Sequence, residues 1–520
     1  MSARPTVRSA PLLPISCFQL PGPRQYNMRN GTRLAAVDLG SNSFRLEIGR
    51  YEFGHIQRVE YLKETVRLGN GLDEDQQLTR AAMERGWACL ARFGERLAGF
   101  PRAQVRAVAT QTLREARNRE EFLSRGSAVL AYPIDVVSGA EEARLIYQGV
   151  ARLLPQSDER RLVVDIGGRS TELILGQQFS PQAVASYQVG SVAWSQRYFA
   201  GGAFSASAFL AAEIAAKAVL DEALGTFRPQ TWERAYGSSG TVGAVGGMLA
   251  ASGVGAEGQI TRAGLNWLHE RMLRAQSADR LRIEGLKEER RAVIGGGISV
   301  LRAVFDLLDI DVLHVAQGAL RQGALYDLLD REQPETDLRS STVNGLMQRF
   351  GVDAEHAQRV ARTACALFEL AAPAGSERAA RKLDWAARLH EIGCRISHSD
   401  YHRHGAYILD NTDAAGFAMP ELHRLGMLVQ SQRGKVRKLG ADLDEPIFAL
   451  QLLSLRLAVI LCHARRDPDR SGLLLRRQGQ RFDLSARPGW ASAYPQSAHL
   501  LREEVLAWQK TPWELVLDLP

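Results

Sequence analysis

Two stretches of this chain, Val37-Asp38-Leu39-Gly40-Ser41-Asn42-Ser43 and Val164-Asp165-Ile166-Gly167-Gly168-Arg169-Ser170-Thr171, are versions of one phrase set 127 residues apart. Each is a short apolar run closing on Asp-x-Gly and a hydroxyl or amide side chain. Leu34 to Val37 and Leu162 to Val164 read as buried strands, and the glycine that follows lets backbone N–H groups turn inward around an anion. The Asp can then hold a cation or a water beside that anion. A single Asp-x-Gly also suits an ordinary hairpin turn. Two copies constrain the fold far more, because a duplicated strand-turn-strand implies two related α/β lobes facing one cleft, with a loop from each closing on a shared ligand.

The 520 residues exceed what one core can hold and predict about three or more domains. With 45% hydrophobic and 24% charged residues the composition is that of a soluble globular protein. No run approaches the roughly 20 apolar residues of a membrane span. Residues 1–30 read as a disordered tail: Pro5, Pro11, Pro14, Pro21 and Pro23 stand where a signal peptide would need a continuous apolar segment, and Met28 is a candidate start. Cys17, Cys89, Cys365, Cys394 and Cys462 show no C-x-x-C spacing, which suits reduced thiols in the cytoplasm. A net charge of +7 points weakly to an anionic partner.

Along the chain, Phe44 to Gly49 and His55 to Lys63 alternate as hairpin strands, and residues 78–99 carry Met83, Trp87, Leu90, Phe93 and Leu97 at helical spacing. Val105 to Thr110 reads as a strand, Gln111 to Asn118 as the start of a helix, and Ile134 to Val137 as a further strand. The second half repeats the scheme with strands at 162–166, 171–176 and near 183–189, a helix around 206–225, and Ala235 to Val242 as strand, small-residue turn and helix start. Gly295-Gly296-Gly297 inside the apolar run 291–301 suits a helix only if something packs closely against it. Val312 to Val315 is a last strand, and Glu332 to Thr336 reads as a linker. Helical periodicity then fills 340–470, and the last forty residues, with Trp490, Trp508 and Trp513, suggest a small β-containing cap.

Ser138-Gly139-Ala140-Glu141-Glu142 places two carboxylates at a helix start. Ser138 and Glu141 have the spacing of a capping box, which accounts for Glu141. Glu142 is left either as a solvated first-turn acid favoured by the helix dipole or as a base able to take a proton from water.

The set Asp38 to Ser43, Ala109-Thr110-Gln111-Thr112-Leu113-Arg114, Ser138-Gly139 with Glu141-Glu142-Ala143-Arg144, Asp165-Ile166-Gly167-Gly168 with Ser170-Thr171-Glu172, and Gly237-Ser238-Ser239-Gly240-Thr241 resembles the Ppx/GppA phosphatases. That family comprises exopolyphosphatases and guanosine pentaphosphate phosphohydrolases of the actin-like ATPase superfamily. The resemblance implies an α/β fold of two actin-like (ribonuclease H-like) lobes at 31–150 and 151–330, an all-helical HD-like domain at 331–480 and a small cap at 481–520. It also implies roles. Glu142 would be the general base, and Asp165 would hold magnesium and water, with Glu172 nearby and Asp38 as a further metal ligand. Asn42, Ser43, Arg45, Arg114, Gly167, Gly168, Ser170, Gly240 and Thr241 would bind substrate phosphates. Mg2+ is the implied cofactor, with K+ as a candidate activator. A homodimer is implied, and neither a nucleic-acid nor a membrane partner. Phosphoryl transfer needs mainly positioning and charge stabilisation, which such groups supply.

Two departures stand out. Arg169 occupies a place where the family commonly has glycine, and it is expected either to donate to a phosphate or to point to solvent, the first being favoured. Arg290-Arg291-Ala292-Val293 lacks the Asp that many relatives carry there. In the helical part, Leu389-His390-Glu391-Ile392-Gly393 with His356 and with Tyr401 to Gly405 is similar to an HD-type phosphohydrolase core. However, Glu391 stands for the Asp of the pair, and Val459 for a later Asp, so a structural or substrate-channel role is expected over a second metal centre. Basic residues at 433–438, and Arg465, Arg466, Arg470, Arg476, Arg477 and Arg481, would line such a channel or form a solvated face. The expected activity is release of terminal orthophosphate from inorganic polyphosphate. The alternative is 5′-hydrolysis of guanosine pentaphosphate (pppGpp), and the alternative of another class is a non-catalytic binder of polyphosphate or alarmone.

Overall fold

The structure, a computed structural model, describes residues 28–332 and 337–520. The expected tail falls outside the described residues up to position 27, and the expected linker from position 333. By compactness the chain forms two units, residues up to Ile134 with Glu142–Asp330, and Asp135–Glu141 with Arg331–Pro520.

The first unit contains both lobes. In chain order its first half runs β1 (Arg33–Leu39), β2 (Phe44–Glu52), β3 (His55–Glu64), α1 (Arg80–Arg96), β4 (Val105–Ala109), α2 (Gln111–Glu115), α3 (Arg119–Leu130), the first residue of β5 (Ile134–Val136) and, from Glu142 onward, α4 (Gly139–Leu153). The second half runs β6 (Arg160–Ile166), β7 (Thr171–Gln177), β8 (Ser180–Tyr187), α5 (Ser191–Tyr198), α6 (Ala206–Leu220), β9 (Arg234–Ser238), α7 (Ser239–Ala251), β10 (Gln259–Thr261), α8 (Arg262–Ala275), α9 (Ile294–Leu307), β11 (Val312–Val315) and α10 (Leu320–Glu332).

The sheet orders are β3-β2-β1-β4-β5 and β10-β11-β9-β6-β7-β8. In both, an antiparallel meander (β1-β2-β3, β6-β7-β8) is extended by a strand parallel to its first member, β4 beside β1 and β9 beside β6. This is the duplicated α/β arrangement that the repeated phrase predicts. Strands buried on both faces read as continuous apolar runs, and the burial of Leu34 to Leu39 and Leu162 to Ile166 fits that.

Three expectations need correction. The helix expected over 111–118 ends at Glu115, because Asn118 bridges to Leu78 through two hydrogen bonds of 2.8 and 3.0 Å and pulls the chain out of helical register. A lobe boundary at 150 followed by one lobe to 330 also fails at its end: Ala324, Leu325 and Leu329 of α10 pack against Leu34, Ala36 and Tyr51 of the first sheet. The reason is steric, since α4 and α10 cross on glycine. A Cβ on Gly323 would stand 1.8 Å from the Leu145 carbonyl oxygen, and one on Gly149 2.1 Å from that of Ala319.

The second unit is helical: α11 (Leu338–Arg349), α12 (Ala354–Ala371), α13 (Glu377–Arg388), α14 (Tyr401–Asp410), α15 (Met419–Ser431) and α16 (Pro446–Leu461). It continues with β12 (Leu474–Gln478), β13 (Arg481–Ser485), α17 (Trp490–Ala493), α18 (Pro495–Trp508) and β14 (Glu514–Asp518). Phe482, Trp490, Trp508 and Trp513 share one core with the helices. The third correction follows: a cap boundary at 480/481 would cut the β12–β13 hairpin. No helix among the described residues is long and apolar enough to cross a membrane.

Candidate active site

The loops after β1 and β6 meet. A Cβ on Gly168 would lie 2.8 Å from Ser41 Cβ and 3.2 Å from Val192 Cγ2. Neither Gly167 nor Gly168 has a positive φ. Glycine is therefore required there by close approach, not by a left-handed turn. The lobe I loop is stapled from outside by the N–H groups of Arg67 and Gly69, which donate to the Asn42 and Ser41 carbonyls at 2.9 and 2.8 Å. At the end of β9, Ser239 sits at φ 93°, and its Oγ accepts from the Thr241 N–H at 3.1 Å as α7 begins.

Asp38, Asn42, Ser43, Arg45, Glu142, Asp165, Gly167, Gly168, Ser170, Gly240 and Thr241 all line one pocket. Arg114 and Glu172 do not, although both were expected at the site. Arg114 stands behind Glu142 and donates to its carboxylate at 2.7 Å. Glu172 is opposite Asp165 in the β6–β7 register and buried, with Oε1 accepting from Ser186 at 2.8 Å and Oε2 without a hydrogen-bond partner among the described residues.

Burial is the first cause of every carboxylate shift here. Glu142 is pushed up by desolvation, an effect opposed by Arg114. Asp165 is pushed up to about 7 by desolvation, with the Ser238 hydroxyl opposing and Glu142 adding to the rise. Glu172 is pushed well above the usual range by desolvation, then by Glu142 and Asp165. Asp38, by contrast, is held between two guanidiniums, Arg45 at 3.1 Å and Arg321 at 3.3 Å.

Two arginines of the pocket were missed by the sequence reading. Arg321 comes from α10, a helix that the polar run after Val315 did not signal. Arg290 is 8% exposed and lies over Gly240, where a Cβ would meet its Nη2 at 1.8 Å. Among the described residues no hydrogen-bond or ion-pair partner is found for its guanidinium. Desolvation, followed by Arg45, lowers it to about 10. A buried, unpaired cation in a pocket with loop N–H groups is a receptor for an anion.

The sequence profile of the Ppx/GppA phosphatase family matches residues 48–332, and that of Ppx/GppA phosphatase domain III matches 338–505. The chain belongs to the Ppx/GppA phosphatase family. It is similar along 94% of its length to two proteins named guanosine-5′-triphosphate,3′-diphosphate pyrophosphatase. One, from Aeromonas hydrophila, is 38% identical, and the other, from Vibrio vulnificus, is 36% identical; 99% of each relative is covered. Among solved structures, an exopolyphosphatase-like protein aligns over 57% of this chain and 97% of its own at 26% identity and a TM-score of 0.52. An exopolyphosphatase from Cytophaga hutchinsonii shares the fold over 58% of this chain and 98% of its own, at 24% identity and a TM-score of 0.52.

Within this Ppx/GppA phosphatase, two side chains behave otherwise than expected. Arg169 is not free for phosphate: it donates to Glu115 at 2.8 Å and to the Gly69 carbonyl at 3.3 Å, and its φ is not positive, so the loop accepts a non-glycine residue. Glu141 has a longer-range bond besides its local one: its N–H donates to Ser138 Oγ at 3.1 Å, and its carboxylate accepts from the Gly416 N–H at 2.8 Å.

In the helical unit, His356, His390 and Glu391 offer donor atoms within 4.8 Å of one another. His390 is buried and lowered to about 4, chiefly by desolvation, and its Nδ1 lies 2.7 Å from the Ala387 carbonyl. Glu391 is already engaged by Arg465, at 2.9 and 3.1 Å. The basic series is likewise partly spent, Arg465 on Glu391 and Asp353 and Arg481 on Asp483.

Proposed function

We propose that this phosphatase removes the terminal 5′-phosphate of guanosine pentaphosphate, with inorganic polyphosphate as the second substrate reading. This reverses the order expected from the sequence. It is supported by relatives named for the nucleotide that match over 94% of this chain and 99% of their own length at 36–38% identity. The observation that carries hydrolysis is the charge pattern of one pocket: an unpaired buried cation, Arg290, and a buried carboxylate, Glu142, which burial makes a stronger base than an ordinary carboxylate, line the same cavity.

In this mechanism the terminal phosphate lies against the 42–43 and 167–170 loops and the Gly240–Thr241 turn, with Arg290 and Arg45 spreading its charge. Glu142, aligned by Arg114, takes a proton from the attacking water. The oxygen of that water bonds to the terminal phosphorus as the bond to the bridging oxygen breaks, and the shortened nucleotide leaves with the electron pair. Asp165 has no ion-pair partner among the described residues and is costly to ionise alone, so an all-oxygen site suited to a hard divalent ion fits it. Mg2+ held by Asp165 would neutralise phosphate charge there. Asp38 is committed to two arginines and Glu172 stands outside the pocket lining, so both are poorer ligands than expected.

The test is orthophosphate release from pppGpp and from long-chain polyphosphate at matched Mg2+. Preference for polyphosphate of more than about tenfold in kcat/KM, about 1.4 kcal/mol of transition-state discrimination, would restore the original order.

A further inference from the structure

Arg67 is an odd residue in an odd place. Its φ and ψ are 54° and 46°, the left-handed region that a long side chain adopts at a cost. The side chain contributes nothing to offset that cost, since its guanidinium is exposed and has no partner among the described residues. The conformation is imposed by the backbone bond from its N–H to the Asn42 carbonyl, which ties it to the phosphate loop. Strain of this kind that persists beside a reactive pocket points to a ligand.

Arg67 lines a second cavity of about 450 Å³, together with Gln196, Phe199, Asp279, Glu288 and Arg291. That volume is within the range of small-molecule sites. Three pieces of chain run from the phosphate pocket into it. On α5, Ser191 faces the first and Ser195 the second, roughly 6 Å apart. Arg290 lines the first and its neighbour Arg291 the second. Asn42 lines the first and is hydrogen-bonded to Arg67 of the second. A terminal phosphate in the first pocket therefore leaves the rest of a nucleotide one helical turn away, at the second.

The polar groups of the cavity are not equally free. Arg291 is spent on Glu288 at 2.6 Å and on the Ala278 and Leu281 carbonyls. Arg67 is the cation left over, and the Gln196 amide and Asp279 carboxylate have no side-chain hydrogen bond among the described residues. We propose that this cavity receives the nucleoside 3′-diphosphate portion of the substrate, with Arg67 binding the 3′-diphosphate and Asp279 and Gln196 offering acceptors to the N–H edge of guanine. The proposal rests on the nucleotide reading of the function.

The experiment is a two-by-two calorimetric titration, wild type and Arg67→Gly against ppGpp and GDP, which differ only in the 3′-diphosphate. Glycine accepts the left-handed backbone, so the variant is expected to melt at or above the wild-type temperature, whereas an arginine with a structural role would cost stability when removed. Arg67→Gly is expected to weaken ppGpp at least tenfold and GDP less than threefold. Equal losses for both ligands, or no loss for either, overturn the subsite while leaving pppGpp hydrolysis by the wild type intact. A wild type that neither binds ppGpp nor releases phosphate from pppGpp overturns the nucleotide reading and this proposal with it. Arg67→Lys, which keeps the charge, is expected to recover part of the ppGpp preference, and its failure to do so also counts against the assignment.

Discussion

Replacing Gly323 by alanine perturbs the site from a distance. The new Cβ would stand 1.8 Å from the Leu145 carbonyl oxygen and 2.6 Å from its carbon, whereas 3.4 Å is the near edge of ordinary contact. Both atoms are fixed to helix backbones, so α4 and α10 must part by about 1.5 Å or one must bend. Overpacking of this kind costs about 3 kcal/mol, and for a unit of this size about 2 °C of Tm for each kcal/mol, hence a fall of about 6 °C. The catalytic consequence is larger, because α4 carries Glu142 and α10 carries Arg321, which holds Asp38 at 3.3 Å. A displacement of about 1 Å in a reacting group costs roughly 100-fold in rate. Thermal unfolding by circular dichroism and orthophosphate release from pppGpp would measure both. Gly345→Ala, in α11 with nothing within 4 Å, is the control and should be neutral or stabilising by about 0.5–1 kcal/mol. A Gly323→Ala protein with wild-type Tm and kcat would refute the idea that the helix crossing sets the site.

Glu142→Gln keeps the hydrogen-bonding shape but cannot take a proton, so kcat should fall by about 10²–10⁴ while binding of ppGpp, followed by calorimetry, is retained. Arg290→Met removes the unpaired cation and should lower kcat/KM for pppGpp by about 10²–10³; an unchanged value would show that phosphate does not reach it. The helical unit should lose stability in acid. His390 has a folded value of about 4 against 6.5 unfolded, so its contribution is fully present above 6.5 and is lost as pH falls toward 4, by about 3 kcal/mol. Urea midpoints at pH 7.5 and 4.5 should converge for His390→Gln relative to wild type, and equal acid sensitivity of the two proteins would rule this out.

The two strands ending in Asp-x-Gly were legible because a doubly buried strand is written as an unbroken apolar run, and the repeat gave their pairing partners as well. The triple glycine of α9 was legible for the same kind of reason: a Cβ on Gly296 would stand 2.5 Å from the Ser191 carbonyl oxygen and the Ser195 nitrogen. What the sequence hid was tertiary. The helices α5 and α10 carry weak apolar stripes, and Arg290 and Arg321 reach the pocket from segments roughly 250 to 280 residues beyond the first loop. Arg169 was misjudged because its partner, Glu115, lies in a short helix 54 residues earlier.

The repeat also explains why the two halves of the site do different work. In the β1–β2 register Asp38 stands opposite Arg45, and in the β6–β7 register Asp165 stands opposite Glu172, the same offset in each copy. One cross-strand exchange, cation for carboxylate, separates them. On the first side Arg45, joined by Arg321, neutralises Asp38 and leaves the adjoining loop to receive phosphate. On the second side burial and neighbouring carboxylates raise both Asp165 and Glu172, so the negative charge there is costly until a cation joins it. Glu142 reaches the same pocket from α4 with Arg114 as its own counter-charge. The pocket is thus balanced except at two points, Arg290 and Asp165, one of each sign. An anionic substrate and a divalent cation arriving together would satisfy both, which is the charge balance that the proposed metal-assisted hydrolysis requires.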